Sequence, residues 1–463
     1  MATIKKQGKG YKITVSCGYD AQGRQRREHM TWVPDPGMSE AKIQKELQMQ
    51  AARFEDKIRS GIVMDSRMKL ETFTEKFMED YAKVYLKPST WFGYQQLIEP
   101  INAALGHIRL CDLKTSHINS FYKNLQEQGM RRTSTAQSKI DLGAYREGEG
   151  LSARKLAEMA GVSHGVVIAA ERGQKISTES AEKIADAYEV KVGKLFEVYR
   201  DMEPLSQRTV LHYHRVLSVI LAKAVQWGYI NNNPAERAEK PKVKHKESPY
   251  LEEDEVRRML DLLQREPIMW RTVITFDLFS GLRRGELLGL KWGDVDLDSQ
   301  LLKVERTFNY TPGIGNYEGT TKTDSSQRPM KLSRSAVLLL LEYKAWQDEQ
   351  RNKLGDAWKN DADRVFTTEL GTPIQPSRLT KWFRDFIDRS GLPHVTVHSL
   401  RHTYASLLIS DGVPLTVVSH QLGHSQTSTT ANIYAHVIAA AEAKAQETID
   451  NRFENYVNQA AGE

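Results

Sequence analysis

The segment His398-Ser399-Leu400-Arg401-His402, followed by Leu422-Gly423-His424 and then Tyr434, gathers an arginine, three imidazoles and a phenol in a short span. These groups can hold a phosphate, move protons and attack phosphorus. Arginine suits a phosphoryl centre because its planar fork gives paired hydrogen bonds and keeps its charge. His398, Arg401 and His402 stand at i, i+3 and i+4, so on a helix His398 shares a face with either. Leu400, Tyr404, Leu407 and Leu408 anchor the opposite side. Residues 415–422 read as a second amphipathic helix ending at Gly423-His424. Residues 425–430 read as a loop, and a helix beginning at Thr430 carries Tyr434.

Upstream lies Gly281-Leu282-Arg283-Arg284-Gly285-Glu286-Leu287. The apolar run 272–280 reads as a core helix that Gly281 breaks. Arg283 then sits at the next helix start, where backbone N–H groups favour anions, and Glu286 is spaced to brace a guanidinium. Taken alone, the Arg-Arg pair reads as a surface patch. Residues 302–332 read as a small antiparallel sheet. Its polar hairpin carries Lys322, which can donate a proton to a leaving oxygen, although a lone surface lysine is usually inert. A metal reading competes: His398 with His402, and His420 with His424, have ligand spacing. The first pair lacks an intervening Glu and no carboxylate cluster is near, so a zinc hydrolase is the weaker reading.

The chain has 463 residues, which suggests about three domains on length. It is 40% hydrophobic and 27% charged, with a net charge of +6. That is ordinary globular composition with a modest basic excess that permits an acidic partner. Its two cysteines, Cys17 and Cys111, argue against a disulfide framework or thiolate metal cluster. No signal-peptide run and no membrane-length apolar stretch is present. A reducing cytoplasmic, nucleoid-associated setting is expected.

The first thirty residues hold seven Lys/Arg against two Asp/Glu. Strands around 11–16 and 26–33, and a helix from Ser39 to Arg59, make residues 1–65 a basic sheet backed by one helix. Lys5, Lys6, Lys9, Arg24, Arg26 and Arg27 are its candidate DNA contacts; the plainer reading is a solvated edge guarded by lysines. Residues 67–132 and 204–236 show helical apolar spacing and read as one helical domain interrupted by an insert at 133–203. A basic, proline-stiffened linker follows at 237–247, with Lys240, Lys242, Lys244 and Lys246 as candidate phosphate contacts. Residues 248–463 form the last domain.

The insert resembles the helix-turn-helix domain of the phage repressor and Cro family through Leu156-Ala157, Gly161-Val162-Ser163 and Glu171-Arg172-Gly173. Its second helix carries Gly165, Val166, Ile168 and Ala169 where base readout needs Arg, Lys, Asn or Gln. Residues 141–200 hold nine basic and ten acidic side chains, no bias toward phosphate. The insert is expected to contact DNA weakly, contact protein, or serve as scaffold.

The set Arg283, Lys322, His398-x-x-Arg401, Leu-Gly-His424 and Tyr434, in that order, resembles the tyrosine recombinases, the phage-type integrases. The resemblance implies a multidomain, mainly α fold with small β-sheets: an arm-type N-terminal domain, a helical core-binding domain and a mixed, mostly helical catalytic domain. It implies cutting and rejoining of DNA through a 3′-phosphotyrosine, for integration and excision of a mobile element. Tyr434 would attack while Arg283 and Arg401 clamp the phosphate. Lys322 would protonate the leaving oxygen, His398 would act as general acid/base, and His424 would hydrogen-bond the phosphate. The resemblance implies no cofactor and no metal. Its partners would be attachment-site duplex DNA, a tetramer on that DNA, and DNA-bending and excision factors, with no membrane. A type IB topoisomerase and a DNA-binding regulator with a vestigial catalytic domain are the rival readings.

Overall fold

The computed structural model describes residues 2–19, 23–59, 67–127, 134–200, 203–243, 248–320, 327–435, 437–438, 446, 449–450 and 453. The chain packs as two units, Met1–Lys244 and His245–Glu463.

In the first unit, strands β1 (Thr3–Gln7), β2 (Gly10–Tyr19) and β3 (Gln25–Trp32) form an antiparallel sheet in that order, beside helix α1 (Glu40–Arg59). Strand alternation decides the faces. Ile13, opposite Ile4 and Met30, is buried with Leu47 and Ala51 of α1. Lys12, opposite Lys5 and Thr31, therefore points to the open face, as does Arg27 opposite Ser16. The sheet thus presents Lys5, Lys12 and Arg27 on one side and the apolar contact on the other.

Next come α2 (Leu70–Phe77), a single π-helical turn at Met78–Ala82, α3 (Lys83–Tyr85), α4 (Pro88–Leu105) and α5 (Thr115–Leu125). Pro88 opens α4, where its missing N–H costs nothing. The chain then leaves through β4 (Ser134–Ser138) into α6 (Leu142–Gly148), α7 (Ala153–Ala160), α8 (His164–Glu171), β5 (Ile176–Ser177), α9 (Thr178–Ala187) and α10 (Val192–Leu195). It returns along β6 (Phe196–Arg200) to α11 (Gln207–Gln226). β4 and β6 are antiparallel, with Ser134 opposite Arg200, so entry and exit lie side by side.

Residues on both sides of this excursion share one core, including Phe73, Ile101, Phe121, Leu217 and Ile220. The Tyr122 hydroxyl meets His214 Nδ1 at 2.8 Å, tying α5 to α11. The excursion has a separate core built on Leu156, Val167, Ile184, Leu195 and Phe196. Ser152 caps α7 by accepting from Lys155 N at 3.2 Å, and Gly161 ends it with φ +61°. Beyond α11, Ala235 and Ala238 are still core residues and Glu239 N donates to Asn119 Oδ1 at 3.0 Å. The docked helical domain therefore extends through the first residues of the expected linker.

The second unit opens with α12 (Glu253–Leu263), α13 (Ile268–Ser280) and α14 (Arg284–Gly289), followed by β7 (Val295–Asp296), β8 (Leu301–Val304), β9 (Arg306–Thr311), β10 (Gly315–Thr320) and β11 (Arg328–Lys331). Helices α15 (Arg334–Leu354), α16 (Pro376–Ser390), α17 (Val397–Ser410), α18 (Leu415–Leu422) and α19 (Thr427–Ile433) complete it. The 302–332 region is two ladders, not one sheet. β9 pairs with β10 as a hairpin, while β8 lies between β7 and β11; the ladders part at Glu305 between β8 and β9. Helix α14 lies directly on β9, and a Cβ on Gly289 would stand 3.1 Å from Arg306 O and Phe308 N. Helix α19 starts at Thr427, three residues before the expected start. Gln426 is extended and its carbonyl already accepts from Thr429 N, so Tyr434 falls at the end of that helix.

Candidate active site

Helix α13 is buried along nearly its whole length, and Gly281 ends it in the left-handed region at φ +58°. The turn delivers Arg283 to the N-cap position of α14. Glu286, buried three residues on, accepts from Arg283 N at 3.1 Å and from Arg283 Nη1 at 2.6 Å. One carboxylate thus closes the helix start and fixes the guanidinium, a capping box with an arginine in it.

Arg401 is buried in α17. Its Nη1 donates to Gly281 O at 2.9 Å and its Nη2 to Leu422 O at 2.6 Å. Arg283 Nη2 donates to the next carbonyl, Gly423 O, at 3.1 Å. Both arginines therefore rest on the C-terminal end of α18, where helix carbonyls lack partners and carry partial negative charge. Burial, then the nearby Arg283, lowers the Arg401 pKa to about 10, so it stays charged at neutral pH.

His424 follows these carbonyls directly, and its Nδ1 meets Thr430 Oγ1 at 2.7 Å. Burial and then the field of Arg401 and Arg283 lower its pKa to about 4. A neutral ring whose Nδ1 accepts from the threonine hydroxyl carries its proton on Nε2, free to donate to an anion.

Tyr434 is buried with Ala405, Ile409, Val418 and Leu422. Its hydroxyl lies 2.9 Å from His402 Nδ1. Burial raises the phenol to about 12 and lowers His402 to about 4. His398 is exposed and meets the His402 ring edge-on at 4.9 Å between centroids. Desolvation in its crowded surroundings, then Arg401, Arg283 and Arg284, lowers its pKa.

The structure thus brings together Arg283, Glu286, His398, Arg401, His424 and Tyr434. Lys322 lies outside the described residues. In the first unit, Lys5, Lys6, Lys9, Arg24 and Arg27 are exposed, as are Lys240 and Lys242. Arg27 donates to Gln25 Oε1. The Arg26 side chain, Lys244 and Lys246 lie outside the described residues.

Two members of the cluster had no part in the recombinase set read from the sequence. His402 stands in the quoted motif, but no spacing rule pairs it with a tyrosine 32 residues on. Arg328 begins β11, buried, with Nε donating to Gln421 O at 2.7 Å and Nη2 3.6 Å from Glu286 Oε2. Its signal was the alternation itself: Arg328 and Met330 point inward while Pro329 and Lys331 point out.

Residues 249–440 match the phage integrase family, residues 69–126 its N-terminal SAM-like domain, and residues 142–195 a helix-turn-helix. The chain is 34% identical over 297 residues to a XerC-like tyrosine recombinase of Caldanaerobacter subterraneus subsp. tengcongensis, covering 61% of this chain and 73% of that one. It is 26% identical to the ICEBs1 integrase of Bacillus subtilis, over 53% of this chain and 66% of the relative. Among solved structures, the Tn1549 transposon integrase in complex with transposon right-end DNA has the same fold. The TM-score is 0.56 at 17% identity, over 83% of this chain and 100% of that chain.

Proposed function

The chain belongs to the tyrosine recombinase family, enzymes that cut and rejoin DNA, and from this premise we propose that it is the integrase of a mobile element, working through a 3′-phosphotyrosine. The observation that carries the reading is the seating of Arg283 and Arg401 on consecutive carbonyls, with His424 next in the chain. Fixed donors aimed at one place stabilise charge that develops there. A scissile phosphate held by both guanidiniums would lose much of the repulsion that a phenolate attack meets.

Tyr434 Oη would bond to phosphorus as the P–O5′ bond breaks. The phenol proton would pass to His402 Nδ1, its hydrogen-bond partner. A docked phosphodiester opposes the field of the arginines and raises the imidazole pKa toward that task. Lys322 would protonate the departing 5′ oxygen. His424 Nε2–H would donate to a nonbridging oxygen, and His398 would serve as a second acid/base beside His402. Exchange of the linkage to a new 5′ hydroxyl then restores the phosphodiester without an outside energy source.

Joining two duplexes takes four strand cuts, and hence four copies of the chain on paired attachment sites. The open face with Lys5, Lys12 and Arg27 would track a DNA backbone, as would Lys240 and Lys242. DNA-bending and excision factors would assist and direct the reaction.

A nicked duplex spanning the joined ends of the element that encodes the chain tests this reading. The nick lets the 5′ fragment diffuse away, so a covalent protein–DNA adduct should accumulate, and Tyr434→Phe should give none. An adduct with the phenylalanine variant rejects the nucleophile. Transfer of the held strand to a second duplex separates recombination from simple relaxation of supercoils.

A further inference from the structure

The end of α18 is held by three arginines. Gln421 O accepts from Arg328 Nε at 2.7 Å, Leu422 O from Arg401 Nη2 at 2.6 Å, and Gly423 O from Arg283 Nη2 at 3.1 Å. Three successive carbonyls thus take one guanidinium each, delivered by β11, α17 and the start of α14. Two of these arginines belong to the proposed phosphate clamp, and the third has no place in it.

Arg328 is buried, with 2% of its side chain exposed. Burying a guanidinium is costly unless the surroundings repay it. Burial lowers its pKa, and the neighbouring Glu286 pulls the other way. Its Nη2 stands 3.6 Å from Glu286 Oε2, while Arg283 Nη1 holds Glu286 Oε1. Arg328 also lies flat against Gly423: a Cβ there would come within 2.7 Å of Nη1 and 3.0 Å of Cζ. One planar side chain therefore touches the carboxylate that fixes Arg283 and the turn that precedes His424.

We propose that Arg328 is a positioning residue of the cleavage step, setting Glu286 and the α18 turn, and through them Arg283 and His424, against the scissile phosphate. This inference rests on the recombinase reading above. Its guanidinium is taken up by Gln421 O, Glu286 and the Gly423 backbone, so its part is to aim the groups that meet the phosphate. Residues that orient metal ligands change affinity or activity by about 10- to 100-fold when removed, and a residue that orients phosphate-binding groups is expected to act on the same scale.

The test compares full-length wild type and Arg328→Met on the nicked duplex, with either a normal or a methylphosphonate linkage at the scissile position. Arg328→Met should bind the duplex as wild type does and form the adduct about 10- to 100-fold more slowly. On the methylphosphonate, which lacks one negative charge and leans less on Arg283, the gap between variant and wild type should narrow. An equal gap on both linkages overturns the proposal, because a general packing defect would act on both alike. Equal rates for variant and wild type also overturn it. If wild type forms no adduct, the recombinase reading fails and takes this one with it. Should the methionine variant show no cooperative melt, Arg328→Lys carries the same comparison. It keeps the charge but cannot span both partners, so a wild-type rate from it overturns the proposal.

Discussion

The Tyr434 hydroxyl and His402 Nδ1 lie 2.9 Å apart, with the phenol 2% and the imidazole 9% exposed. With the phenol at about 12 and the imidazole at about 4, the pair is a neutral hydrogen bond at neutral pH. His402→Phe keeps the ring volume and removes the acceptor. Loss of a general base typically costs about 100-fold or more, so adduct formation should fall by at least that while duplex binding persists. Unchanged cleavage by the phenylalanine variant would take the proton-acceptor role away from His402.

The same two shifts set an acid limit on stability. His402 and His424 titrate near 6.5 when unfolded and near 4 when folded. Between those values the unfolded chain binds more protons, so stability is present above about 6.5 and is lost as pH falls toward 4. The melting temperature of the unit containing α17 should drop between pH 7.5 and pH 5. His424→Gln should lessen that drop, and a drop of the same size in the variant would count against a neutral buried His424.

Gly281 is doubly constrained. Its φ of +58° disfavours any L side chain, and an added Cβ would overlap the Tyr404 ring. Its carbonyl also anchors Arg401 Nη1. Gly281→Ala should lower stability by about 1–3 kcal/mol and slow cleavage by displacing Arg401. Thermal melts and adduct kinetics measure both, and a variant with wild-type stability and rate would show that the turn tolerates the side chain.

Much of the site was legible because its members carry distinctive chemistry in fixed local words. Arg283 follows a helix-breaking glycine, and His398 and Arg401 share one helix. What the sequence did not show depends on long-range geometry. Nothing local pairs His402 with Tyr434. Arg328 reads as a basic residue at the edge of a polar hairpin, and only the strand's inward phase reveals it as buried. Lys12 joins Lys5 and Arg27 through a register that no single strand displays. The boundary of the last short helix moved because residues 427–429, all polar, look like loop until Gln426 is seen to start the turn.

Excising residues 134–200 and bridging the flanks with a few glycines should leave the surrounding helical domain folded. Phe73, Phe121 and Leu217 belong to one core and Leu156, Val167 and Ile184 of the excursion to another. Circular dichroism and a cooperative melt would check this. Collapse of the shortened chain would mean that the excursion is structurally required.

The antiparallel seam of β4 and β6 gives that part of the chain the character of a socket. Because Ser134 faces Arg200 across one strand spacing, any compact domain whose ends meet could be plugged in there without moving α5 or α11. A DNA reader of chosen specificity, or a reporter, could be exchanged for the present occupant, making this the natural point at which to retarget the enzyme.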